Sequence, residues 1–233
     1  EPKNGPVSIE IQESEASIAV GGIRAVVRRM YWPDRLEITY YNAKGEVLLA
    51  ERPGTGALNI QPRFFKPIVA GDFKLTVGFA ADDREKLYGM GQYQQDVLDV
   101  KYSTFELAQR NSQASVPFVL SSRGYGFLWH NPAIGRASFG RNLMEWSAES
   151  TKQMDYWICA GDTPRDIERQ YADAVGHAPE MPEYGLGFWQ CKLRYWNQEQ
   201  LLNVAREYHR RGIPVDVIVV DFFHWPHMGD FRF

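Results

Sequence analysis

The sequence predicts an α+β chain in two parts: an antiparallel β-sandwich, then a strand, helix and strand of the kind that repeats in α/β folds. Three observations carry this. Residues 7–160 show short alternating runs broken by turn residues at the spacing of a sandwich, with no helical periodicity before Pro164 and no fixed repeat. A capped helix and a Pro-bearing passage then interrupt the pattern. From Tyr184 onward the chain reads as a strand, a helix and a second strand that ends on Asp221.

In the first part Ile9 and Ile11 alternate with Ser8, Glu10 and Gln12, the period of a strand with one apolar face. Gly21 with Gly22, Asn42 to Gly45, Gly71 with Asp72 and Arg123 with Gly124 are hairpin signals between such runs. A linker helix follows, with Thr163 as N-cap, Pro164 at its first position and Asp166 near the positive end of its dipole. Ile167, Tyr171, Ala174 and Val175 form its apolar stripe. Gly176 ends it, and Pro179 with Pro182 forces an extended passage. Gly185 to Gln190 is the next strand. Asn197 opens the second helix with Gln200 three positions on, a capping-box arrangement, and Leu201, Val204, Ala205 and Tyr208 supply its stripe. Gly212 and Pro214 stop it. Val215 and Val217 to Val220 then make the nearly continuous apolar run of a strand covered on both faces. The domains so read are a sandwich at 1–160, a linker helix and extended segment at 161–183, and an α/β part at 184–233.

Composition narrows the function. The chain has 233 residues, 44% of them apolar, and no run near the roughly 20 apolar residues of a membrane span. A net charge of −3 with interspersed signs and no basic stripe excludes a nucleic-acid footprint, which leaves small neutral partners. The aromatic share, 14%, fits sugar platforms or inward rows of sheets, with core packing the use of most of them. Cys159 and Cys191 stand far apart, without metal or disulfide spacing. His224, His227 and Asp230 lack a third imidazole or thiolate, and Gly89-Met90-Gly91 lacks the third glycine and helix of a dinucleotide loop. No metal or cofactor is expected, and those glycines suit a sheet crossing or bulge. The start at Glu1 with a Pro/Asn/Gly lead fits the mature end left by signal cleavage as well as an arbitrary boundary. It points to a periplasmic or secreted protein, with the cytoplasm still open.

Side chains at the carboxyl ends of parallel strands converge on one rim, and Asp221 is placed there. Phe222, Phe223 and Trp225 follow it, offering apolar ring faces beside a carboxylate, a combination suited to a sugar with its CH faces and hydroxyls. An aspartate capping the next turn is the plainer alternative, and at this point both stand.

Several segments in order resemble glycoside hydrolase family 31, the α-glucosidase and α-xylosidase family. Leu87-Tyr88-Gly89-Met90-Gly91-Gln92 is similar to its tyrosine-glycine-leucine-glycine-glutamate signature. Val116 to Ser122 with Gly124-Tyr125-Gly126, Trp129-His130-Asn131, Met154 to Trp157, Gly161 to Pro164, Gly187 to Cys191 and Val219 to Phe223 continue the match. Each segment alone is weak, but their order and spacing over residues 85–233 are specific.

The resemblance implies a sandwich followed by a (β/α)8 barrel, with retaining hydrolysis of α-linked sugars at the barrel mouth. It implies that Asp221 accepts hydrogen bonds from the sugar in the cleaved subsite and that Phe222 and Phe223 form the pocket wall. Leu193 and Arg194, beside Tyr195, occupy the loop where relatives place an aromatic against the sugar. A sandwich loop also reaches the pocket in this family, with Glu106 to Asn111 the candidate here. Gln109-Arg110-Asn111 stands where many α-glucosidases carry an aspartate, which makes an α-xyloside a credible substrate. The family's two catalytic aspartates match positions beyond Phe233, so residues 1–233 alone are expected to be inactive. Val217, Val219 and the helix stripe are expected to pack on the remainder of the barrel or on a neighbouring chain. The alternative is a non-catalytic carbohydrate-binding or structural sandwich module.

Overall fold

Alternating side chains and turn residues build the first sheet. In the computed structural model, which describes residues 6–31, 34–53 and 60–232, β1 (Ser8–Ile11), β2 (Glu15–Val20), β3 (Ile23–Tyr31), β4 (Asp34–Asn42) and β5 (Val47–Ala50) pair antiparallel in chain order. The lead at residues 1–5, on which the export reading rests, lies outside the described residues. Gly21 and Gly22 form the tight turn between β2 and β3. Between β4 and β5, Asn42 Oδ1 accepts the N–H of Lys44 at 3.0 Å and of Glu46 at 2.9 Å, the local bonding that favours Asn in turns.

The sandwich proper follows as β6 (Arg63–Pro67), β7 (Phe73–Ala80), β8 (Leu87–Gln92), β9 (Thr104–Leu107), β10 (Ala114–Ser121), β11 (Tyr125–Trp129), β12 (Gly135–Phe139), β13 (Leu143–Thr151) and β14 (Tyr156–Ala160). One sheet runs β6-β7-β13-β12-β9 and the other β14-β11-β10-β8, all antiparallel. Leu75, Val77 and Phe79 alternate inward on β7, as do Met144, Trp146 and Ala148 on β13. They meet Phe127 and Trp129 of β11, with Phe79 and Trp146 at 5.3 and 5.1 Å from the Phe127 ring. The first sheet adds Tyr40, Leu48 and Leu49 to this core, and the Tyr40 and Tyr156 hydroxyls bond at 2.9 Å. Burying each such ring stabilises by about 2–3 kcal/mol, so most aromatics of the first part are core residues.

The glycines of the tyrosine-glycine segment permit a bulge. Met90 has φ 74°, and opposite it the β8–β10 register shifts between Ser115 and Val119. A Cβ on Gly91, at φ 87°, would lie 2.2 Å from the Ala114 carbonyl oxygen.

The helix read as a linker, α1 (Pro164–Val175), packs on the outer face of the β14-β11-β10-β8 sheet. Ile167 joins Phe118, Leu120 and Cys159 there, and Tyr171 stacks on Phe118 at 4.0 Å. Its first turn closes as a full capping box, the Thr163 side chain accepting the Asp166 N–H while the Asp166 carboxylate accepts the Thr163 N–H. The stripe is shorter than expected. Ala174 and Val175 are exposed, since the apolar cluster under the helix takes in its Ile167 and Tyr171 and nothing of it beyond them.

The chain divides into two compact units, Glu1–His177 and Ala178–Phe233. In the second, β15 (Trp189–Cys191) pairs parallel with β16 (Val217–Val219) through α2 (Gln198–Arg210), the predicted strand, helix and strand. Both strands are shorter than the expected 185–190 and 215–220. Glu183–Leu186 coils into a 3-10 turn instead, and at Gly187 the Asp216 carboxylate comes so close that a Cβ would lie 2.0 Å from it. That carboxylate accepts the Phe188 N–H at 2.9 Å, tying the two strands together before the ladder starts. Asn197 caps α2 as expected, accepting the Gln200 N–H at 2.9 Å. The return bond differs, since Gln200 Oε1 accepts from Trp196 N–H rather than Asn197. No residue of α2 is buried, and Val217, Ile218 and Val219 are half-buried.

Candidate functional site

Two residues past β16 the chain turns sharply, and the turn sets the site. Asp221 has extended backbone, and its Oδ1 accepts the Phe222 N–H at 2.8 Å, capping the 3-10 turn Phe222–His224. His224 Nδ1 donates to the Asp221 carbonyl oxygen at 2.7 Å, closing the turn from the other side. The capping role is therefore present. It uses one carboxylate oxygen of a half-buried side chain, and Oδ2 has no hydrogen-bond partner among the described residues. A carboxylate can serve both roles because it offers about four lone-pair sites.

The turn presents a ring wall. Phe222 and Phe223 stack with centroids 4.3 Å apart and planes 25° apart, and Trp225 lies 6.2 Å from Phe222 and 4.7 Å from Phe231. From the loop after β15, the Arg194 guanidinium sits 4.0 Å over the Phe223 ring and 4.6 Å over Trp196. Leu193, beside it, is exposed, and Lys192 lies 5.8 Å over Tyr195. The structure thus brings Asp221, Phe222, Phe223 and Arg194 together past the carboxyl ends of two adjacent parallel strands, with Leu193 in the same loop. Sequence reasoning missed Trp196. Its proximity to Arg194 in the chain was the available signal, since an aromatic two residues from a cation can stack on it.

Asn111 belongs to the first unit. It tips a small turn closed by the Arg110–Gln113 bridge, with Ser112 at φ 64°. Gln109 braces that turn as a strand would, its Oε1 accepting the Ser115 N–H at 2.9 Å and its Nε2 donating to the Ser115 carbonyl at 2.7 Å. Gln113 Nε2 donates to the Ala108 carbonyl, and Glu106 pairs with Arg110. Asn111 itself is exposed, its Oδ1 accepting only a long 3.5 Å bond from Ser112. The segment is a rigid loop with an amide at its tip.

Two carboxyls of the second unit are held down by arginines. On α2, Arg210 and Arg211 bond Glu207 and hold its carboxyl down at about 2, and past the site turn the Arg232 guanidinium lowers Asp230. A hollow of about 770 Å³ runs along that helix past Asn197, Gln200, Val204, Tyr208 and Ile213, and no predicted site residue lines it. Among the described residues no three His, Cys, Asp or Glu side chains converge as metal ligands would, and no helix is long and apolar enough to cross a membrane.

Residues 178–233 match the family model described as "Glycosyl hydrolases family 31 TIM-barrel domain". The chain is 53% identical over 214 residues to an "Uncharacterized family 31 glucosidase ORF2" of Pseudescherichia vulneris, covering 84% of this chain and 40% of that protein. It is 31% identical to an "Alpha-xylosidase" of Saccharolobus solfataricus, over 84% of this chain and 28% of that protein. Among solved structures, a GH31 α-xylosidase from a soil metagenome complexed with xylose matches with TM-score 0.87 at 49% identity, over 97% of this chain and 35% of that one. A xylosidase from Aspergillus niger matches with TM-score 0.84 at 29% identity, over 93% of this chain and 31% of that one. The chain therefore spans less than half the length of these relatives. Motif order, sandwich, parallel unit and relatives agree: this chain belongs to glycoside hydrolase family 31.

Proposed function

We propose that the protein carrying this chain is a retaining α-glycoside hydrolase acting on α-xylosides or α-glucosides, and that the residues described here supply substrate contacts. The observation that carries the reading is Asp221, placed past a parallel strand beside the stacked Phe222 and Phe223. Sugar hydroxyls donate to its carboxylate, each charge-assisted bond contributing about 1.5–3 kcal/mol when water is excluded, while the rings cover the CH faces of the sugar. Such contacts position a ring without breaking its bond. Retaining hydrolysis needs two carboxyl groups about 5–5.5 Å apart, one attacking the anomeric carbon and one protonating the leaving oxygen. In this reading both come from later barrel strands of the whole protein, and residues 1–233 alone turn nothing over. The partner is an oligosaccharide or small α-glycoside.

One observation favours the xyloside: of the four relatives compared, three are named as xylosidases, one of them in complex with xylose, and one as a glucosidase. Release of 4-nitrophenol by the whole protein, from the α-xyloside and the α-glucoside, tests the reading. Turnover of neither would sink it and leave a sugar-binding module in its place. Asp221→Asn sharpens the test, because Asn keeps the oxygen that caps the Phe222 turn but loses the charge. Its kcat/KM should fall roughly ten- to hundredfold, with the unfolding midpoint nearly unchanged.

A further inference from the structure

The loop after β15 holds a cation by ring faces instead of an anion. Arg194 is half-buried, and among the described residues no carboxylate pairs with it. Its guanidinium lies between Trp196 and Phe223, at 4.6 and 4.0 Å from their centroids. Phe223 stacks on Phe222, and the Phe222 N–H is the group that Asp221 caps. A line of contacts thus runs Trp196, Arg194, Phe223, Phe222, Asp221, joining the loops after two neighbouring strands.

Core burial does not hold that wall, since Phe222 is 38% exposed and Phe223 42%. A 3-10 turn of three residues fixes their backbone but leaves the rings free to rotate about χ1 and χ2. A guanidinium between two aromatic faces restrains such a ring, because its planar fork is already ordered and is weakly hydrated.

We propose that Arg194 is a positioning residue. Gripped by Trp196, it holds the Phe223 ring, and through it the Phe222 stack, in the attitude that shapes the sugar pocket beside Asp221, without bonding the sugar itself. This rests on the reading of Asp221 as a sugar ligand, and it replaces the expectation that Arg194 contacts the substrate directly.

The two roles separate in a double-mutant cycle on the protein that carries this chain. Arg194→Ala should raise KM for 4-nitrophenyl α-xyloside roughly tenfold with kcat changed less than about threefold, and Arg194→Lys should recover part of the loss, since an ammonium still sits on a ring face. In a Phe223→Ala background the Arg194→Ala change should shift KM less than about twofold, the cation having nothing left to hold. An undiminished effect in that background means direct contact with the sugar and overturns the proposal. The same four proteins, unfolded in urea, should show Arg194 and Phe223 coupled by roughly threefold or more in the unfolding constant. Additive values would overturn the clamp. If the unmodified protein hydrolyses neither glycoside, the glycosidase reading fails by itself, and the unfolding cycle still decides the clamp.

Discussion

Gly91 shows how a single hydrogen in place of a side chain holds a strand pair together. Its φ of 87° and the 2.2 Å gap from a would-be Cβ to the Ala114 oxygen leave no room for a methyl group. Gly91→Ala should therefore destabilise by about 2–4 kcal/mol, read as a fall in the urea midpoint of the chain. The bulge was legible because an isolated pair of glycines in a strand has few other uses. Asp221 was harder to read. A carboxylate after a buried strand is compatible with capping or with ligand contact, and the sequence could not say that one oxygen would do the first while the other kept no partner. The Arg194 clamp was not legible at all, since nothing in the local pattern of either loop announces a contact with the other.

At the scale of elements, end signals were read best because they are local. Thr163, Pro164 and Asp166 open α1 where expected, and Thr163→Ala should cost about 1 kcal/mol, seen as a lower thermal midpoint for the first unit. Which helix faces are covered was read less well. Periodicity assigned Ala174 and Val175 to the buried side, but burial is decided by where the apolar cluster under the helix ends, and Val175 is 51% exposed. The first parallel strand likewise starts later than its apolar letters suggest. The Asp216 carboxylate occupies the space beside Gly187 and accepts the Phe188 N–H, while the Phe188 carbonyl accepts the Asp216 N–H at 3.0 Å, so a side chain takes one of the places a ladder carbonyl would fill. That strand boundary depends on a residue from the other strand, which no window around Gly187 contains.

The whole molecule joins a densely packed first unit to a second with little interior. Core residues of the first are nearly inaccessible, whereas Leu186, Leu193 and Trp196 of the second are 77%, 62% and 71% exposed. Limited proteolysis of residues 1–233 should therefore cut between residues 178 and 232 well before it cuts the sandwich. Uniform cleavage would contradict this. The first unit also carries a pH response in Glu51, a carboxylate in the contact between sheets that accepts the Ile38 N–H at 2.9 Å and faces Arg63 at 3.2 Å. Burial pushes its carboxyl up from 4.5 despite Arg63. The folded state then binds the proton more tightly than the unfolded chain. Its contribution to stability is full below the unfolded value and is lost as pH rises through the raised one. Glu51→Gln should flatten the change of urea midpoint with pH from 4.5 upward, and an unchanged profile would count against it. The sandwich was legible as a class from its alternating runs. Its division into three sheets was not, because strand order is set by which apolar faces meet, and alternation reports only that a face exists.

The two stacked indoles at the centre of the sandwich have a practical consequence. Trp129 and Trp146 are fully inaccessible, lie 6.2 Å apart with planes 23° apart, and keep their ring nitrogens unbonded among the described residues, while Trp189 and Trp196 of the second unit face solvent. Their light emission should differ accordingly, blue and shielded from acrylamide quenching in the first unit, red and quenchable in the second. One cuvette can then follow each unit's unfolding on its own.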